Sequence, residues 1–329
     1  MHLIFINEKW CGCDPDSGRL SEGPMNMEYS FDSTDLGTWL SVWCDAKELV
    51  SRYDKRKIQD VDRTLVQLCI QTKPDAVIFT PLRRKVDPPN PDRVILAYIA
   101  WRLNIPVISI HFDIGPASID MMEKYFPMCI RCFTFQPLHT IQHVPKRFVG
   151  DLWLPIDENF AINPGKKRTH DVAMPGRIHG PRQEVIDLLR NNGINVFTTR
   201  YDEFLPVEEY YNILQTSKIV VHCGRPEFVE GRQFEGPACG CLLIDTEDSA
   251  IQKKYKEEDY IRFNKWWNVD IEEEEKERRK ENLVEKVKYY IEHDEEREAI
   301  ADRCCSYFHN NYSATKFWTR VLSVSGVLT

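Results

Sequence analysis

Short apolar runs alternate along this chain with longer amphipathic stretches. Leu3 to Ile6, Ala76 to Phe79, Val107 to His111 and Ile130 to Phe135 are rich in β-branched residues and bounded by Pro, Asp or Lys. That is the pattern of strands buried on both faces of a parallel sheet. Helical periodicity fills the intervals. One helix is predicted over Leu36 to Tyr53. A second covers Ile58 to Ile70, where Val61, Leu65, Leu68 and Cys69 form an apolar stripe, and a third runs from Asp92 to Leu103, with Pro91 before it and Asn104 and Pro106 closing it. Strands alternating with helices predict a doubly wound α/β domain.

Between residues 151 and 170 the alternation lapses into a linker-like stretch that includes Asn163-Pro164-Gly165 and three basic residues. It then restarts, with strands at Asp171 to Met174, Ile194 to Thr198, Lys218 to His222 and Leu242 to Ile244, and helices at Arg182 to Asn191 and Val207 to Leu214. Residues 271 to 281 are almost all charged, and an apolar stripe of Leu283, Val287, Tyr290 and Ile291 follows, so the charged run reads as the solvated face of a helix. Amphipathic helices carrying Ile300, Cys304, Tyr307 and Phe308, then Phe317, Val321 and Leu322, end the chain. At 329 residues the chain exceeds what one core usually supports. Two α/β domains are expected, 1–155 and 156–312, with the helix in 313–329 joining the first.

Composition narrows the class. No apolar run approaches the ~20 residues needed to span a bilayer, and the first residues read as a strand instead of a signal peptide. A cytoplasmic location is the expectation. Eleven cysteines are present. The odd count and the single CxxC at Cys129 and Cys132, inside a strand-like run, favour reduced thiols over disulfides or a zinc site. Net charge is -8, with 18 Lys and Arg against 19 Asp and Glu in residues 1–155 and 25 against 32 in the remainder. Basic clusters at Lys55-Arg56-Lys57 and Arg83-Arg84-Lys85 could meet an anionic acceptor or simply be solvated. The acidic total lacks the footprint of a dedicated nucleic-acid-binding domain.

The richest stretch for chemistry is 227–241, which follows one predicted strand and precedes another. Its loop opens at the carboxyl edge of a parallel sheet, where ligands bind. No dinucleotide fingerprint or P-loop occurs anywhere, so phosphate must be held otherwise. Gly176 lets backbone approach a ligand, and Arg177 and Arg182, at the start of the next helix, can neutralise a diphosphate by forked hydrogen bonds; surface ion pairs are the plainer alternative. Glu235 is placed to accept hydrogen bonds from the vicinal hydroxyls of a ribose. Glu227 and Glu230 lie nearer the loop, within reach of a donor sugar, or they merely favour a helix start as acidic residues do. Arg225 and Arg232 add positive charge.

Residues 171–312 resemble the donor half of GT-B glycosyltransferases, in particular the group 1 (GT4-like) enzymes and the CgeB-like proteins. The resemblance rests on Met174-Pro175-Gly176-Arg177, on Glu208 through Val221, on Arg232-Gln233-Phe234-Glu235-Gly236-Pro237-Ala238-Cys239-Gly240, and on the helical tail from Tyr289 to Arg303. It implies two Rossmann-like doubly wound domains facing across a cleft, with the C-terminal helices packing back across the junction. It also implies transfer of a sugar from a nucleotide-sugar, with a UDP-sugar as the candidate, to a hydroxyl acceptor with retention, no cofactor and no obligatory metal. The strand 105–113 is similar to the family strand ending in a histidine that faces the donor sugar, which would make His111 and Asp113 catalytic. A structural role for His111 is the alternative. The glycine-rich acceptor loop of the family is missing; an irregular stretch beginning at Trp10 and ending near Ser33 replaces it. A glycan, a small molecule and modified DNA all stand as acceptors, and a sugar-nucleotide epimerase or a non-catalytic nucleotide-binding protein are rival readings.

Overall fold

The computed structural model describes residues 1–9, 27–45, 55–80, 91–111, 123, 125–135, 148–150, 152–176, 178, 180–199, 205–224 and 229–328. By contact density the chain divides into two compact units, Met1–Asp157 with Ala314–Thr329, and Glu158–Ser313.

Among the described residues, the first unit holds a six-stranded sheet in the order β2-β1-β3-β4-β5-β6, parallel throughout. The strands are β1 (His2–Lys9), β2 (Thr38–Asp45), β3 (Ala76–Phe79), β4 (Val107–His111), β5 (Arg131–Thr134) and β6 (Phe148–Val149). Its helices are α1 (Met27–Asp32), α2 (Lys55–Thr72), α3 (Arg93–Ala97) and α9 (Ala314–Val324). Every residue of β3 and β4 is buried, Ser109 and His111 of β4 included, as strands covered on both faces are. On one face Leu65 and Cys69 of α2 and Leu96 of α3 pack against Ile4, Ile6, Val77 and Phe79. Asp92 caps α3 by accepting from the Val94 amide, and a π turn, Tyr98–Arg102, continues it. The opposite face is aromatic. Phe5, Phe31 and Trp318 stand 5.4 to 5.8 Å apart, and the Trp318 indole donates to Ser30 Oγ at 3.0 Å.

The helix expected over Leu36 to Tyr53 is corrected: Thr38–Asp45 is the edge strand β2, paired with β1 along eight residues, and 46–53 lie outside the described residues. Trp39 and Trp43 are four apart in sequence, a spacing that suits a helix face but is equally compatible with the period of two of a strand. Thr38, Val42 and two tryptophans favour the strand. Leu40 and Val42 join the aliphatic core on one side, while Trp39 meets Phe5 edge-on at 6.5 Å on the other and donates to Asp32 Oδ1 at 2.8 Å.

The second unit repeats the architecture with five parallel strands in the order β11-β10-β9-β7-β8 among its described residues. These are β7 (His170–Ala173), β8 (Val196–Phe197), β9 (Ser217–Val221), β10 (Leu242–Thr246) and β11 (Ile261–Phe263), with helices α4 (Arg182–Asn191), α5 (Val207–Gln215), α6 (Arg232–Ala238), α7 (Glu273–Glu292) and α8 (Asp294–Asn311). The charged run at the start of α7 forms i,i+3 and i,i+4 pairs such as Arg278 with Glu275 and Arg279 with Glu275. Leu283, Val284 and Val287 bury the other face against Val221, Leu242 and Phe263.

Candidate active site

In the second unit, polar residues gather at the carboxyl ends of β7, β9 and β10, the edge where open α/β sheets bind ligands. Gly176 follows β7 with φ +94°, a left-handed conformation that glycine adopts without strain. A Cβ there would lie 2.6 Å from Arg232 Nη1 and 4.0 Å from Arg182 Nη1, so two guanidinium groups converge over this turn. Arg182 opens α4, and that helix start has no side-chain cap. Arg182 is only 3% exposed. Its Nη2 donates to the carbonyls of Met174 (2.7 Å) and Pro175 (2.9 Å), whereas Nε and Nη1 are buried with no hydrogen-bond partner. Burial, reinforced by the like charge of Arg232, lowers its pKa to about 10, which still leaves it a cation at neutral pH. A buried donor without a partner costs about 1–3 kcal/mol, so two on one cation demand an explanation.

Arg232 donates to the Pro175 carbonyl at 3.0 Å and to Glu230 Oε2 at 3.2 Å. From Glu230 a closed polar ring runs beneath the turn. Glu230 Oε2 meets His222 Nε2 at 3.2 Å, and His222 Nδ1 meets Asp245 Oδ1 at 2.9 Å. Asp245 also accepts from the Gln233 amide, whose oxygen accepts from the Glu230 backbone N–H at 2.6 Å. Burial pushes the His222 pKa down, but the adjoining Asp245 and Glu230 carboxylates outweigh it and the net shift is upward. Glu235, on α6, is 3% exposed and accepts from the Tyr210 hydroxyl at 2.5 Å. Burial raises its pKa, partly opposed by that hydrogen bond and by the Arg232 charge. Gly236 lets α6 lie close on the sheet, since a Cβ there would come within 2.9 Å of Val220.

The structure thus brings together Gly176, Arg182, Arg232, Glu230 and, one helical turn along α6, Glu235. Arg177, Arg225, Glu227 and Asp113 lie outside the described residues. His111 ends β4 of the first unit and is 3% exposed, with Nε2 2.9 Å from Ser109 Oγ and its ring against Phe126 and Phe148. Burial lowers its pKa, which favours the neutral imidazole.

His222, Asp245, Gln233 and Tyr210 belong to the site without having been singled out in the sequence. A signal existed for two of them. His222 directly follows β9 and Asp245 stands one residue before the end of the neighbouring parallel strand β10, whose register pairs Val221 with Ile244 one residue earlier. Adjacent strand ends put a histidine beside a carboxylate. Gln233 and Tyr210 lie inside the stretches that carry the resemblance, but neither residue type reveals whether its helix turns it toward the sheet.

Similar architectures are found among solved structures. HepE of Anabaena, in complex with UDP and glucose, aligns over 100% of both chains with 10% identity and a TM-score of 0.63. A glycosyltransferase of Rickettsia africae aligns over 98% of this chain and 97% of its own, at 12% identity and a TM-score of 0.60. The catalytic domain of Arabidopsis thaliana starch synthase IV, bound to ADP and acarbose, aligns over 84% and 78%, at 11% identity and a TM-score of 0.53. The fold is that of the GT-B glycosyltransferases, two parallel doubly wound α/β units. No curated protein sequence matches the chain. The model of the glycosyl transferase-like family matches residues 159–323, half of the chain, and the protein belongs to that family. No helix among the described residues is long and apolar enough to cross a membrane.

Proposed function

We propose that this glycosyltransferase takes its sugar from a nucleotide-sugar held by the second unit and passes it, with retention and without a metal, to a hydroxyl of a saccharide acceptor. The observation that carries the reading is Arg182, a buried cation with two unused N–H groups beside Gly176 and the uncapped start of α4. A diphosphate would meet those donors, the helix dipole and Arg232 together. Negative charge develops on this diphosphate as the glycosidic bond breaks, so the same groups would stabilise the transition state more than the ground state. Glu235 would accept the ribose hydroxyls, exchanging its Tyr210 hydrogen bond for theirs, and Glu230 would orient the sugar. His111, neutral, would contact the sugar at the reacting end. Support for a UDP-sugar comes from HepE, which was solved with UDP-glucose, and support for a saccharide acceptor from the acarbose on starch synthase IV.

Thermal unfolding against UDP-, GDP-, ADP- and dTDP-sugars, followed by NMR of the product formed with added oligosaccharides, tests the proposal. A donor at 100 times its Kd should add about 2.7 kcal/mol of stability. If no nucleotide-sugar stabilises the chain, the donor reading falls. An inverted anomer would refute retention, and activity abolished by EDTA and restored by a divalent ion would refute metal independence. Epimerised donor formed without acceptor would make the protein an epimerase.

A further inference from the structure

A second feature of the same unit lies apart from the donor residues. A shallow cavity of about 540 Å³ opens between the outer edge strand β11 and α7. Asn282, Glu285, Lys286, Tyr289 and Tyr290 reach it from the helix at i, i+3, i+4, i+7 and i+8, one continuous face, while Leu283, Val284 and Val287 bury the face beside it. A helix would ordinarily leave such a stripe to solvent; here it is turned toward a concavity.

The lining is arranged unlike an ion site. Its charges balance, with Glu257 and Glu285 against Arg262 and Lys286, and both cations are engaged: Arg262 pairs with Glu257 at 3.4 Å and Lys286 donates to the Arg262 carbonyl at 2.5 Å. The side chains of Glu285 and Asn282 make no hydrogen bond or ion pair among the described residues. Tyr289 is 42% exposed yet held in place, stacked on His293 at 3.9 Å and donating to Glu296 at 2.7 Å. Tyr290 stands perpendicular to it at 5.1 Å. A rigid aromatic platform beside a free carboxylate and a free amide, with no net charge, complements a molecule that has an apolar ring face and a rim of hydroxyls.

We propose that this cavity is a saccharide-binding subsite, separate from the donor site, which holds a neutral oligosaccharide chain. As an acceptor-docking site it rests on the glycosyltransferase reading; as a saccharide site it stands alone. Holding a polymeric acceptor at a second point would raise its effective concentration at the first.

The full-length chain is titrated with neutral hexasaccharides of α-1,4-glucose, β-1,4-glucose and β-1,4-N-acetylglucosamine, and separately with UDP. At least one hexasaccharide should bind with millimolar or tighter Kd, and Tyr289→Ala should weaken it tenfold or more while UDP affinity stays within twofold. Should Tyr289→Ala fail to fold, Asn282→Ala combined with Glu285→Gln decides, because it changes only polar groups at the surface. Absence of hexasaccharide binding, binding that neither variant weakens, or binding abolished by saturating UDP overturns the subsite. A wild-type chain that binds hexasaccharide but no nucleotide sinks the donor reading and leaves the subsite standing; the converse does the reverse.

Discussion

The two sheets are built alike and finished differently. In both, strand segments such as Ala76–Phe79 and residues 219–221 are apolar and buried. At the carboxyl ends of the second unit stand Arg182, Arg232, Glu230, His222 and Asp245 in one connected network; the described strand end of β4 in the first unit offers His111 on Ser109 among phenyl rings. Charge differs in the same direction. The first unit carries 20 basic and 20 acidic side chains, the second 23 and 31, so the whole net charge of -8 belongs to the second. A unit proposed to hold a diphosphate is therefore the acidic one. The lesson is one of range: surface carboxylates on α7 act through water and are screened beyond ~8 Å, whereas a buried guanidinium at contact distance is screened far less. Local placement outweighs the sign of the total.

The contrast can be broken most directly at Arg182. Arg182→Met should weaken UDP binding on the order of 100-fold, about 2.7 kcal/mol, by isothermal titration; an unchanged affinity would remove the reason for placing the donor in the second unit. Glu235→Ala should raise the UDP Kd about tenfold, the scale of one charge-assisted hydrogen bond, with less effect on a nucleotide lacking the ribose hydroxyls. His111→Gln sharpens the comparison from the other side: UDP affinity should stay within about twofold while kcat falls about tenfold, roughly 1.4 kcal/mol of barrier. Nucleotide affinity lost with His111 would place donor contacts in both units. The smallest effect concerns His222 and pH. Its folded pKa lies above the ordinary 6.5, so the stability it contributes is fully present below about pH 6.5 and fades as pH rises through the folded value. Each unit of such a shift is worth about 1.4 kcal/mol. Urea midpoints of wild type and His222→Asn should therefore converge as pH is raised above 6.5; a gap that widens with pH contradicts the assignment.

Much of the scaffold was legible because buried parallel strands are short apolar runs, as at Val107–His111 and Leu242–Thr246, and because Pro and Asn punctuate the helices. The edge strand β2 was misread, since tryptophans four apart satisfy both periodicities and an edge strand faces water on one side. At the site, the residue types with one dominant chemistry were found: arginine at a helix start, glycine at a left-handed turn, glutamate on α6. The ring beneath them was not. Gln233 reaches Asp245 and Ser249 only because α6 starts at Arg232 and leans on β10, a tertiary fact with no periodic trace.

Trp318 makes its contacts with Phe5, Phe31 and Ser30 from 288 residues beyond that serine. Seen during synthesis, the first strand of the chain waits for nearly the last helix. The second unit, Glu158–Ser313, is an insertion that emerges complete while the aromatic face of β1 still lacks Trp318. Domains commonly fold in order from the amino terminus; this chain is expected to finish its second unit first, and a released product truncated before Ala314 should show a protease-resistant second unit attached to a cleavable first.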